Sequence, residues 1–164
     1  MSELTGPRQI VLVSSRATMS VMGKEEEKNN IITVAWHMPV SMNPQLYTVA
    51  IGKTRYSCKI MQKSKSFVVN FVPFELKEQA LYCGTHSGAH VDKFRESKLT
   101  MEEAEKIDCC RIKEAAGFME CEVVNEVDAG DHFIFIGKVV NSVSKEVAKR
   151  LFQGDTTDFT TTKN

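Results

Sequence analysis

Four groups of residues in this chain have side chains and spacing suited to chemistry. The first is Trp36-His37-Met38-Pro39, which sets the only tryptophan beside an imidazole where a run of strand-forming residues ends. A flat aromatic, an imidazole and free backbone amides at a sheet rim suit a planar ligand with polar edges. In the second, Arg55 and Ser57 stand at the start of an expected helix, where charge, hydroxyl and free amides could hold a phosphate. The third is the turn Gly84 to Gly88, whose glycines let backbone donors approach a ligand closely. In the fourth, Gly130-Asp131-His132, a tight turn presents an imidazole that could face a ring or donate a proton. Each group also has a plain structural reading: a buried tryptophan, an exposed arginine, a loop that needs glycine, a hairpin with a surface histidine.

Other chemistries fit less well. Cys83, His86 and His90 stand at intervals of three and four, suitable in type for zinc, but Gly84 and Gly88 interrupt the helix that would align them. A fourth ligand would have to come from elsewhere. Adjacent Cys109 and Cys110 would make a strained disulfide. There is no Gly-x-Ser-x-Gly elbow and no Walker or Rossmann phosphate cradle.

These groups need a scaffold, and the pattern predicts a mainly β one. Gln9–Ser15 reads as a first strand after Gly6-Pro7, and 23–30 (GKEEEKNN) as a solvated connection. Ile31–Ala35 is a second strand, expected to end near Pro39, with Leu46–Ile51 as its antiparallel neighbour. A short helix follows Thr54, and Phe67–Val72 is a dense strand ended by Pro73. Phe74–Leu81 is a helix followed by a turn over 82–88, and Val91–Glu96 adds a helical turn. Leu99–Asp108 is charged and irregular. Gly117–Val127 alternates, with Met119, Cys121, Val123 and Val127 on one face and Glu120, Glu122 and Glu126 on the other. With His132–Val143 across the turn at Asp128–Asp131, it forms a hairpin. The tail 153–164 is polar and threonine-rich, expected to fray or to pack on a partner. Many strands without βαβ spacing point to an antiparallel barrel with short helices at its edges.

The 164 residues are most simply one domain, with a core over about 7–143 and a C-terminal extension over about 144–164. Lys plus Arg number 21 and Asp plus Glu 21, so there is no basic excess of the kind that marks nucleic-acid binders. No apolar run reaches the roughly 20 residues of a membrane span. Five cysteines without framework spacing, and no secretory leader pattern, fit a reducing, cytoplasmic setting.

Taken in order, the segments resemble the flavin reductase-like family of FMN-binding split barrels, in its ferric reductase and flavoredoxin branch. The resemblance is carried by 30–41 (NIITVAWHMPVS) with Pro44, by Arg55-Tyr56-Ser57 with Ile60, and by Phe67-Val68-Val69-Asn70. It continues in Gly84 with Ser87-Gly88, in Asp92-Lys93-Phe94 and in Gly130-Asp131-His132. It implies a six-stranded antiparallel split β-barrel, a homodimer with FMN near the subunit interface, and electron transfer from NAD(P)H to free flavin, a ferric chelate or a protein acceptor. The alternative it leaves open is an FMN-binding electron carrier with no nicotinamide-dependent activity. By the same resemblance Ala35, Trp36, His37, Met38, Pro39 and Ser41 lie along the isoalloxazine. Thr54, Arg55, Tyr56 and Ser57 hold the phosphate and ribityl chain, Asn70, Ser87, Gly88 and Lys93 complete the cofactor set, and His132 stands beside flavin and nicotinamide. Two departures are visible: Ala89-His90 replaces an arginine common after the glycine, and the tail does not match.

Overall fold

The computed structural model describes residues 2–145, 148–154 and 158–161. A helical turn, Ser2–Thr5 (α1), and a two-residue strand, Arg8–Gln9 (β1), lead into a long hairpin of Val11–Val21 (β2) and Lys24–Val34 (β3). Met22 and Gly23 both have positive φ, 50° and 79°, which suits a tight two-residue hairpin turn. The segment 23–30, expected as a loop, is therefore mostly strand: Lys24–Asn29 pairs with Arg16–Val21. Its glutamates are those of an edge strand, where charge discourages further pairing and pairing needs only backbone.

His37–Met42 (β4) and Gln45–Gly52 (β5) follow, then Tyr56–Ser64 (α2), Ser66–Phe71 (β6), a 3-10 turn at Phe74–Leu76, Lys77–Thr85 (α3) and Lys93–Ser97 (α4). Met101–Glu103 (β7) and Cys110–Ile112 (β8) pair as a small excursion. Gly117–Ala129 (β9) and His132–Ser144 (β10) are the expected hairpin. Leu151–Gln153 (β11) returns to pair with β1, and Phe159–Thr161 (β12) pairs with β11 on its other side. The part of the tail within the described residues thus docks on its own chain, with Leu151 in the core.

The main sheet is antiparallel, in the order β3-β2-β6-β9-β10-β5-β4. The edge strands β3 and β4 are joined by Ala35 and Trp36 alone, so the sheet must curl until its edges meet. The Ala50 N–H of β5 donates to the Trp36 carbonyl at 2.9 Å, which carries the β4–β5 ladder into the link, while β3 and β4 share no ladder. The result is the split antiparallel barrel, with β4 as a short extra strand on β5. Here the expected pairing changes: β5 lies between β4 and β10, whereas Ile31–Val34 pairs with β2. Pairing also continues past Pro39, with an irregularity before Ser41, because β4 is an edge strand and tolerates a missing donor.

β2 is buried on both faces from Val11 to Ala17, which accounts for the unbroken apolar run at its start. Val11 and Val13 face the barrel core with Phe67, Val69, Phe135 and the α2 residues Cys58 and Met61. Ile10 and Leu12 pack outward under Ala80 and Cys83 of α3 and Phe94 of α4. α3 runs to Thr85, four residues beyond the expected end. Gly84 fits inside the helix because its bare Cα faces Thr33 of β3, where a Cβ would meet the Thr33 Cβ at 3.2 Å.

Glu120 departs from the expected exposed face of β9. It is fully buried, and its carboxylate accepts the N–H groups of Glu105 and Lys106 at 2.9 and 2.8 Å, with Arg111 at 3.5 Å. Cys109 and Cys110 are free thiols buried against the backbone of β2.

Candidate functional site

Five parts of the chain meet at one end of the barrel. The end of β3 and its link to β4 supply Ile32, Thr33, Val34, Ala35 and Trp36. The end of β5 supplies Ala50 and Gly52, and the start of α2 supplies Arg55, Tyr56 and Ser57. The α3–α4 connection brings Ser87, Gly88 and Lys93, and the β9–β10 turn brings His132. They line two adjoining depressions of about 110 and 180 Å³ that share Ile32 and Arg55.

The first depression is polar and cationic. Arg55 precedes α2 as its N-cap residue in extended conformation, and no side chain caps the helix start. Amides and the positive end of the helix dipole are thus turned toward the depression. The Arg55 guanidinium is exposed and makes no ion pair among the described residues. Lys93 is 3% exposed, and its ammonium donates to the carbonyls of Ile31 and Cys83, both at 2.7 Å. An ammonium has three donors, so one remains for a ligand. Burial lowers the Lys93 pKa to about 8; the Cys83 thiol opposes that shift and the nearby Arg55 charge adds to it. Ser57, also buried, accepts a 2.6 Å hydrogen bond from the Asn30 amide. Thr54, Tyr56, Ser87 and Gly88 also line it.

The second depression is flatter and more apolar in its side chains. Trp36, 43% exposed, and His132 face each other with ring centroids 4.8 Å apart and planes tilted by 36°. The carboxylate of Asp131 lies 2.6 Å from Nδ1 of His132, and that bond holds the Asp131 carboxyl below its ordinary range. A carboxylate accepts, so Nδ1 carries a proton and donates it to Asp131. Nε2 lies over Gly52, 3.7 Å from where a Cβ there would stand. The paired register of His132 with Gly52 fixes this arrangement.

Of the residues picked from the sequence, Ala35, Trp36, Thr54, Arg55, Tyr56, Ser57, Ser87, Gly88, Lys93 and His132 come together here. Five do not. His37 turns away from the cleft: its Nε2 donates to the Gln9 carbonyl at 2.8 Å, and Nδ1 accepts from the Tyr47 hydroxyl at 2.7 Å. Burial keeps that ring neutral by lowering its pKa. Met38, Pro39 and Ser41 lie along β4, beyond the cleft lining. Asn70 is a buried strut, its amide donating to Leu12 O and Ser14 Oγ and its carbonyl accepting from Ile112 N–H.

Ile32, Thr33, Ala50 and Gly52 join the lining without a sequence signal of their own. They arrive through the register of β5 against β10 and the closure of the barrel. Cys83 and His86 line the first depression, but the His86 ring stacks on Tyr82 with centroids 4.0 Å apart. Among the described residues, no group of three or more His, Cys, Asp or Glu side chains is placed to hold a metal ion. No described helix is long and apolar enough to cross a membrane.

Comparison with known proteins agrees with this arrangement. The chain is 39% identical over 115 residues, 70% of its length, to an uncharacterised protein of Archaeoglobus fulgidus, and the match spans 65% of that protein. It is 25% identical over 122 residues to the NADH-dependent FMN reductase AsuE2 of Streptomyces nodosus subsp. asukaensis, covering 74% of this chain and 65% of that one. In fold it superposes on an FMN-binding protein from Thermus thermophilus with a TM-score of 0.85 at 23% identity, over 97% of this chain and 88% of the other. The family described as "Flavin reductase like domain" matches residues 4–157, nearly the whole chain, and with the split barrel and its cleft this establishes that the chain belongs to the flavin reductase-like family.

Proposed function

We propose that the cleft binds FMN and that the protein is an FMN-dependent oxidoreductase taking electrons from a nicotinamide donor. The observation that carries this reading is the meeting of two unlike subsites, one cationic and rich in donors, the other an aromatic rim, across the shared Ile32 and Arg55. FMN combines an anionic tail with a planar ring, and a site for it needs both characters. Arg55, Ser57, Lys93 and the first amides of α2 would hold the phosphate. Ile32, Ala35 and Trp36 would form the wall for the ring.

Bound FMN supplies the hydride-accepting chemistry. The chain supplies orientation and an imidazole: Asp131 engages Nδ1 of His132, and Nε2 lies over Gly52 of the cleft lining. His132 then stands where a nicotinamide donor would approach. Free flavin, a ferric chelate or a protein is the acceptor class this reading allows. We further propose a cytoplasmic homodimer. Five buried free thiols fit a reducing compartment, and the exposed Met38, Val40 and Met42 of β4 offer an apolar edge to a second copy.

The test is anaerobic addition of NADH, then NADPH, to the flavin-loaded protein. Bleaching of the flavin absorption supports the reductase and names its donor. In His132→Asn, bleaching should slow on the order of 10²-fold while FMN affinity stays within about twofold. A flavin reduced by dithionite but by neither nicotinamide would make the protein an electron carrier instead.

A further inference from the structure

Asn30 lies behind the cationic subsite and was not among the residues assigned to it. Its side chain is 2% exposed, and its backbone is fixed in β3 opposite Ser15. Its amide nitrogen donates to the Ser57 Oγ at 2.6 Å, while its carbonyl oxygen has no hydrogen-bond partner. A buried, half-satisfied amide costs stability unless it serves something. Gly88, which lines the same subsite, is shaped around it: a Cβ on Gly88 would stand 2.0 Å from Asn30 Oδ1. The amide orientation follows from this environment. Reversed, it would leave both N–H donors unpaired against Gly88, whereas this orientation leaves one N–H and the carbonyl, and an unpaired carbonyl is the more tolerable.

A hydroxyl has a single proton. Because Ser57 Oγ accepts from Asn30, its own proton is free for a third partner, and Ser57 lines the depression that also holds Arg55 and Lys93. We propose that Asn30 is a positioning residue: it holds the Ser57 hydroxyl as a donor toward the flavin phosphate and so makes the site discriminate FMN from unphosphorylated flavin. This rests on the FMN reading above. Asn30 acts through Ser57, and Gly88 is the space that the arrangement requires.

The test compares dissociation constants of FMN and riboflavin, by quenching of flavin fluorescence, for wild type, Asn30→Asp and Ser57→Ala. In Asn30→Asp the carboxylate can only accept, so it draws the Ser57 proton away and adds negative charge beside the phosphate. FMN affinity should fall tenfold or more, with riboflavin affinity within about twofold. Ser57→Ala should lower FMN affinity selectively as well. Asn30→Ala combined with Ser57→Ala should cost no more than Ser57→Ala alone, because one contact is removed in both. Equal losses for FMN and riboflavin, or additive losses in the double variant, would overturn the proposal and leave Asn30 a brace between β3 and α2. Wild-type protein that bound neither flavin would instead refute the FMN reading itself.

Discussion

Arg55 and Lys93 make different electrostatic contributions to one subsite. Arg55 is exposed and always charged, so it supplies a fixed cation at the mouth. Arg55→Ala should weaken FMN binding about tenfold and riboflavin binding little, as read by equilibrium titration. Lys93 is buried, and its pKa of about 8 places its charge change within working range. Above pH 8 the free protein loses that charge, so FMN affinity should fall between pH 7 and 9 while riboflavin affinity holds. A bound phosphate favours the charged lysine, so FMN binding near pH 8.5 should take up protons; titration calorimetry in buffers of different ionisation heat would detect this, and its absence would remove Lys93 from the phosphate site. For stability the sign is separate. The folded pKa lies below the ordinary lysine value of 10.5, so the unfolded chain binds more protons between about 8 and 10.5, and Lys93 becomes less unfavourable to folding as pH rises through that window.

At the scale of elements, the legible parts were those whose residues carry a local signal. The β9–β10 hairpin shows its alternation and turn, α2 begins where Thr54-Arg55 suggests, and Trp36, Arg55, Lys93 and His132 fall in the cleft. The illegible parts depend on contacts distant in sequence. Glu25–Glu27 resemble a loop because an edge strand needs no apolar face. His37 resembles a ligand because the sequence does not show Gln9 and Tyr47 already engaging both its nitrogens. Glu120 belongs to an acidic alternation, yet the 101–112 excursion folds over it and uses it as an acceptor. Glu120→Ala should therefore strand two backbone N–H groups and cost about 3 kcal/mol, read as a shift of the urea midpoint. Gly88→Ala should cost about 1–3 kcal/mol by displacing Asn30, and should weaken FMN binding at the same time.

For the whole molecule, the decisive feature is the two-residue link between opposite edges of one sheet. It curls the barrel, sets Trp36 beside the β5 and β10 ends, and leaves β4 outside as an apolar edge. Met38 is 59% exposed and Met42 96%, more than an isolated subunit gains from. Light scattering should find a dimer, and Met38→Asp with Met42→Asp should shift it toward monomer; a monomeric wild type would remove the interface. The measurement that bears most directly on the whole reading is a crystal structure of the protein with FMN. The phosphate should lie against Arg55, Ser57 and Lys93, and the ring should lie along Ala35 and Trp36 with His132 beside it. Density for FMN at another surface, or a phosphate away from Arg55 and Lys93, would contradict the site described here.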